Sequence, residues 1–183
     1  MRVIAGEFRS RKLLSIAGLD TRPTSDRLRE TLFNILRPAV EGAIFVDGYA
    51  GTGAVGIEAL SRGARHAFFI EKDRRAVEVI KQNISSLGLE SRSRVIQGAV
   101  PIYLGNLDAD IVFLDPPYAK EREYRAALEV LEAKPPAITV VQHSVRLALE
   151  AEYGTLRLTR TLKQGDNALS FFKLNQFSQG SAG

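Results

Sequence analysis

From residue 43 onward the chain alternates short apolar runs with stretches of helical periodicity, and few architectures satisfy that alternation. The runs "AIFVD", "HAFFIE", "RVIQG", "DIVFLD" and "AITVVQH" have the length and the β-branched or aromatic content of strands buried on both faces. Strands of that kind belong to a parallel sheet, because each needs a crossover that covers one of its faces. Asp73 is placed to cap a helix in which Val77, Ile80, Ile84 and Leu87 face inward, and Gly88 follows as its stop. A later helix turns Tyr124, Leu128 and Leu131 inward before Pro135 and Pro136 break it, while residues 98–108 leave room for only a short one. The final "YGTLRLTRTLKQGDNALSFFKLN" reads instead as two strands joined by a turn at Gly165-Asp166-Asn167. The expectation is an α/β fold: a doubly wound, mostly parallel sheet finished by antiparallel strands.

Before this alternation, "RVIAGEFRSRKLLSI" reads as a small β-hairpin with Gly6 at the bend. In "TRPTSDRLRETLFNILRP", Thr24 or Ser25 caps a helix that places Leu28, Leu32, Ile35 and Leu36 on one face. Pro38 helps to end that helix, and Arg27 and Arg29 lie away from the center of the apolar face. A length of 183 residues suits one ordinary domain with a small appendage. The expected division is a basic β extension over 1–20, a main domain over 21–177 and a loose tail over 178–183.

With no cysteine and only His66 and His143, neither disulfides, thiolate metal sites nor a histidine-based metal center are expected. No apolar run reaches the length of a membrane span, and "MRVIAGEFRSRK" lacks a secretory core. A cytoplasmic, metal-free monomer with no membrane partner is the expectation. The net charge of +4 is unevenly spread. Residues 1–40 hold eight basic and four acidic side chains, whereas 41–183 hold seventeen of each. Arg2, Arg9, Arg11 and Lys12 crowd the first dozen positions, the footprint of a phosphate-backbone binder or of a solvated basic tail.

Within "VDGYAGTGAVGIEAL", Gly51, Gly53 and Gly56 spell G-x-G-x-x-G, the spacing of a dinucleotide site. In such a site the first glycine follows almost directly on the strand, so that a pyrophosphate meets the helix N-terminus. Here Gly48-Tyr49-Ala50 intervene after Asp47. An acidic strand end and a longer loop suit a ligand without a pyrophosphate, such as S-adenosylmethionine, whose amino group Asp47 can hold. Gly51 and Gly53 let the backbone approach that ligand closely. Glu71, twenty residues after Gly51 at the end of "HAFFIE", can accept both ribose hydroxyl protons, although nicotinamide sites use the same device.

The strand "ADIVFLD" ends in Asp115-Pro116-Pro117-Tyr118, on the rim where doubly wound sheets bind ligands. An exocyclic amine is a poor nucleophile because its lone pair is delocalised. Acceptors for its two N–H protons hold it in line with a sulfonium methyl, and Asp115 and the Pro116 carbonyl supply two. The successive prolines stiffen the backbone without competing donors, and Tyr118 offers a face for a base to stack on. The methyl donor is already activated, so catalysis rests mainly on positioning and electrostatics. The bland alternative is a D-P-P turn beside a half-buried tyrosine.

These features together resemble the class I S-adenosylmethionine-dependent methyltransferases, and specifically the RsmD-type small-subunit rRNA guanine-N2 methyltransferases. The resemblance runs through "RVIAGEFRSRKL", "RPTSDRLRETLFNIL", "DGYAGTGAVGIEALSRGA", "IEKD", "DPPY" and "GDNALSFF"; the second of these is the most particular. It implies a seven-stranded Rossmann-like sheet with an antiparallel hairpin at one edge and an N-terminal β extension used on RNA. It also implies that Arg22 and Thr24 lie near the methionine end of the cofactor. Asp47, Gly48, Gly51 and Gly53 would form the glycine loop, Glu71 would hold the ribose, and Asp115 to Tyr118 would receive the guanine amine. The implied substrate is 16S rRNA in a partly or fully assembled small subunit.

Two positions depart from the pattern. Ala99 stands where related enzymes often carry Asp or Asn to bind adenine, so only backbone can serve there. Gln142 stands near the end of the fifth strand, where an acid is as readily expected. His143 reads as a structural histidine rather than a base. The competing readings are a DNA adenine-N6 or protein glutamine-N5 methyltransferase and a non-catalytic RNA-binding assembly factor. A nicotinamide dehydrogenase is disfavoured because neither histidine has a catalytic setting.

Overall fold

The computed structural model describes residues 1–15, 25–117 and 121–175. Five parallel strands carry the center of one sheet: β1 (Ile44–Gly48), β2 (His66–Glu71), β3 (Ser93–Gln97), β4 (Ile111–Leu114) and β5 (Ile138–Ser144). Four are apolar runs of the kind that parallel pairing requires, whereas β3, expected from "RVIQG" to be buried on both faces, is an edge strand with no fully buried residue. Antiparallel strands then complete the sheet: β6 (Glu152–Tyr153), β7 (Leu156–Gln164) and β8 (Asn167–Leu174), in the order β3-β2-β1-β4-β5-β8-β7-β6. The described sheet therefore has eight strands, not seven. The added member is β6, two residues folded back on β7 through Gly154 at φ +56°. A strand so short carries no alternation for a sequence pattern to register.

Helices cover both faces. On one lie α1 (Asp26–Val40), α2 (Ala54–Ser61) and α3 (Arg74–Ser86), whose apolar sides join Phe45, Phe69 and Phe113 in a single core. On the other, α4 (Val100–Leu104) and α5 (Glu121–Glu129) pack over Val46, Ile70, Val112 and Leu114. Ser25 caps α1 by accepting the Leu28 N–H at 3.2 Å. Pro38 lies inside this helix, within its last turn, instead of marking its end. Asp73 caps α3 by accepting the Arg75 N–H at 2.8 Å, and Gly88 lies beyond that helix at φ +65°.

The N-terminal residues form an antiparallel bend with one bridge, Arg2 to Lys12, rather than a hairpin of paired strands. Alternating strand residues would need a second apolar face. Here only Val3 and Leu13 are buried, and the backbone donors turn instead to α2. Glu58, fully buried in α2, accepts the N–H groups of Ile4 at 2.8 Å and Ala5 at 3.0 Å, along with Arg62 Nε at 2.7 Å. Arg29, expected to lie off the apolar face of α1, is fully buried beside it, with its Nε 3.9 Å from Glu58. Its Nη2 donates to the Arg2 carbonyl and to Asp26 Oδ1 at 3.0 Å. Helical spacing registered the four leucine and isoleucine positions but could not register a cation whose partner lies on another helix.

Candidate active site

The parallel register places the functional strand ends. Gly48, the last residue of β1, stands between Ile70 of β2 and Leu114 of β4. Glu71 and Asp115 each lie one residue further along, so they flank the loop that leaves β1. Two strand spacings separate their backbones, about 10 Å. Asp47 pairs with Phe69 on one side and Phe113 on the other. Side chains alternate along a strand, so Asp47, Glu71 and Asp115 share the parity of one face. The three carboxylates singled out in the sequence thus meet on one rim.

Each has a local assignment. Gly53, at φ +77°, is the N-cap of α2 and has no side chain with which to cap it. Asp47 takes over that task from the preceding strand, its Oδ2 accepting the Gly56 N–H at 2.8 Å. A carboxylate is favoured there by the unpaired amides and dipole of a helix start. Gly56 also permits the helix to lie against the sheet, since a Cβ there would stand 2.4 Å from Phe69 Cε1. Glu71 closes the other side of the loop. Its Oε2 accepts the Gly51 N–H at 2.9 Å, and its Oε1 accepts the amides of Lys72 at 2.8 Å and Asp73 at 2.9 Å. The Asp115 N–H donates to the Gly48 carbonyl at 3.3 Å, tying the D-P-P segment to the glycine loop.

Electrostatics sharpen the picture. Asp47 is 1 % exposed, and burial pushes its carboxyl well above the ordinary carboxylate range. The Gly56 amide pulls the other way, while the charges of Asp115 and Glu71 raise it further and Arg29 offsets them in part. Three carboxylates around one loop, of which Asp47 is buried and Glu71 and Asp115 are partly exposed, invite a cation. This charge pattern, with a glycine loop held in left-handed backbone, fits a cofactor bearing an ammonium and a sulfonium group.

The other expected positions distribute as follows. Pro116 is buried and Pro117 exposed. Ala99 is the exposed N-cap of α4 and has no side-chain capping bond, which leaves its backbone as the only donor or acceptor it offers. Gln142 is buried in β5. Buried His143 bonds the Ser144 carbonyl through Nδ1 and Ser170 Oγ through Nε2, both at 2.8 Å, and burial lowers its pKa. A ring held in this way has the setting of a structural group. Arg22, Thr24 and Tyr118 lie outside the described residues. Arg2, Arg9, Arg11 and Lys12 are all exposed, but they do not share one spot. Arg2 and Lys12 face each other at the bridge, whereas the bend holding Arg9 lies against Ser61, the last residue of α2. A helix of this length puts that bend about 12 Å from the glycine loop.

Sequence reasoning missed three residues around the rim. Tyr49 sits inside the glycine loop at φ +62° and donates its phenol to Glu123 Oε2 of α5 at 2.9 Å. Tyr124, expected only as an inward-facing core residue, donates its phenol to the Pro116 carbonyl at 3.1 Å. Nothing in a linear pattern links residue 49 to residue 123. The single available signal was a bulky aromatic set among glycines.

A parallel sheet wound on both faces, with a glycine loop and acceptor-bearing strand end on its carboxyl rim, defines a Rossmann-like methyltransferase. The chain belongs to the family described as conserved hypothetical protein 95, which matches residues 1–173. It is 33 % identical over 182 residues to YlbH of Bacillus subtilis (strain 168), named as a candidate rRNA methyltransferase, spanning 94 % of this chain and 98 % of that one. It is 40 % identical over 123 residues to ribosomal RNA small subunit methyltransferase D of Haemophilus influenzae, 64 % of each chain and so just under two thirds of that relative. In three dimensions it is similar to yhhF of Escherichia coli, described as a candidate methyltransferase. The TM-score is 0.82 at 34 % identity, over 95 % of this chain and 97 % of the other.

Proposed function

We propose that the protein transfers a methyl group from S-adenosylmethionine to the exocyclic N2 amine of a guanine in 16S rRNA. The observation that carries this reading is the placement of Asp115-Pro116-Pro117 directly beside the glycine loop, joined to it by the Asp115–Gly48 bond. Acceptor and cofactor loops that share a rim are what an in-line transfer requires. The cofactor supplies an already activated methyl group when bound.

The residues of the chain then do the following. Asp47 offers its carboxylate to the cofactor's amino group while still bonded to Gly56. Glu71 takes the ribose; a carboxylate has about four acceptor sites, three already used on amides, so the hydroxyls compete with Gly51 for Oε2. The Ala99 backbone serves adenine, and Arg22 and Thr24 serve the methionine end. Asp115 and the Pro116 carbonyl accept the two amine protons, aligning the nitrogen lone pair, and Tyr118 stacks on the base. As the new bond forms the amine becomes acidic, and its proton passes to Asp115 or to water. The target guanine must leave its stack to reach this pocket. Arg2, Arg9, Arg11 and Lys12 hold phosphates of the rRNA within a partly or fully assembled small subunit. The proposal sets a metal-free monomer in the cytoplasm.

Incubation with methyl-labelled S-adenosylmethionine and small-subunit particles lacking the modification tests this. Label is expected in N2-methylguanosine and is expected to vanish with Asp115→Ala. Label in another nucleoside overturns the guanine assignment. An unlabelled RNA, from protein that binds the cofactor, overturns the proposed acceptor.

A further inference from the structure

Two neighbouring residues at the start of α5 reach two different loops of the site. Glu123 Oε2 accepts from the Tyr49 phenol at 2.9 Å, and the Glu123 carbonyl lies 3.5 Å from the same phenol. Tyr124 donates to the Pro116 carbonyl at 3.1 Å. We propose that this Glu123–Tyr124 step is a brace that positions the cofactor loop against the acceptor loop. The inference rests on the methyltransferase reading above and adds positioning residues to it.

The geometry is costly to hold, which argues that it is constrained. Tyr49 and Ser10 are the two non-glycine residues with positive φ among those described. A bulky aromatic adopts that backbone only when its surroundings over-determine it, and such strain gathers at functional sites. The main chain on either side is tied down through Gly48 and Ala50, and the phenol adds a tie from the Tyr49 side chain to α5. Burial and the adjacent Glu123 carboxylate both keep the phenol protonated, so it remains a donor. Without that bond, the hydroxyl of Tyr49 keeps only the 3.5 Å contact with the Glu123 carbonyl as its tie to α5.

Tyr124 acts on the other loop. Its ring is 2 % exposed, anchored in the core with Leu128 and Leu131. The phenol occupies one lone pair of the Pro116 carbonyl and leaves the second for a target N–H. A carbonyl polarised and aimed in this way is a directed acceptor instead of a flexible turn. The two prolines offer no amide donor that could do the same. Because Glu123 and Tyr124 are adjacent, neither loop can shift relative to α5 without straining the other. The Asp115–Gly48 main-chain bond joins the same loops at their base, and the brace joins them at the top.

Two measurements test the brace. The first needs no RNA: amide exchange over residues 48–53 in the cofactor-bound protein. Tyr49→Phe and Glu123→Ala are each expected to speed it about fivefold, and Glu123→Gln, which keeps an acceptor, is expected to restore it. The second is the single-turnover methyl transfer rate on unmodified particles at saturating cofactor. Tyr124→Phe is expected to slow it about tenfold, with cofactor affinity within about twofold of the parent. Tyr49→Phe combined with Glu123→Ala is expected to be no slower than either alone, since both remove the same bond.

Unchanged exchange in Tyr49→Phe and Glu123→Ala overturns the brace. So does a Tyr124→Phe rate that stays at the parent value, or that falls only in step with melting temperature and cofactor affinity. If the parent protein itself labels no guanine, the function proposed above fails. The exchange arm then still decides whether the brace exists.

Discussion

At the scale of a residue, Asp47 shows a conflict between stability and binding. Its folded-state pKa is raised, so the folded protein holds a proton more tightly than the unfolded chain does. Its contribution to stability is therefore fully present below the ordinary carboxylate pKa and is lost as pH rises toward the raised value. Asp47→Asn, which keeps an oxygen for the Gly56 amide, is expected to melt higher than the parent near neutrality and about equally at acid pH. Differential scanning calorimetry across that window checks the sign. The same substitution is expected to weaken binding of S-adenosylmethionine. In the parent, affinity should fall as pH drops through the raised pKa, and in Asp47→Asn calorimetric titration should find the profile flattened. Asp47 was readable from its place after a strand and before a glycine loop. Its second role, capping α2 for a glycine that cannot, was not readable, because the bond joins residues nine apart on two elements.

At the scale of elements, buried charges settle how the N-terminal segment lies. Arg29 and Glu58 are both fully buried, and their hydrogen bonds go largely to the backbone of residues 2, 4 and 5. Apolar replacements for such a pair are often as stable, whereas removing one partner strands the other. Glu58→Leu or Arg29→Met alone is expected to cost about 3–5 kcal/mol, and the double variant less than the two losses combined. Chemical denaturation measures all three. The double variant is also expected to loosen residues 2–5, seen as faster amide exchange. Strand identity, and the Ser25 and Asp73 caps of α1 and α3, were legible because each depends on neighbours in sequence. The Arg29–Glu58 pair, the tyrosine brace and β6 depend on partners far along the chain or on only two residues. Those features the pattern of apolar positions could not carry.

At the scale of the whole molecule, the basic N-terminal side chains follow a flank instead of ringing the rim. If Arg9, Arg11 and Lys12 meet phosphates there, replacing all three with alanine should leave cofactor affinity unchanged. It should also flatten the dependence of log affinity on log salt by about 2 units, taking roughly 0.7 per single-strand phosphate contact. Binding titrations over a range of salt check this; equal loss of RNA and cofactor binding would count against a separate phosphate track. The far edge of the sheet raises a different matter. β6 pairs only with Leu156 and Arg157, so among the described residues no strand lies alongside the outer margin of β7 beyond them. Unpaired strand margins are templates on which another chain can crystallise into the same sheet. Here the register breaks between Leu158 and Arg160, and Arg160 and Lys163 stand exposed along that margin. A kink and like charges of this kind disfavour the addition of an identical neighbour. A colloid chemist would call the protein charge-stabilised at one edge, and Arg160→Val with Lys163→Val should turn that edge into its point of self-association.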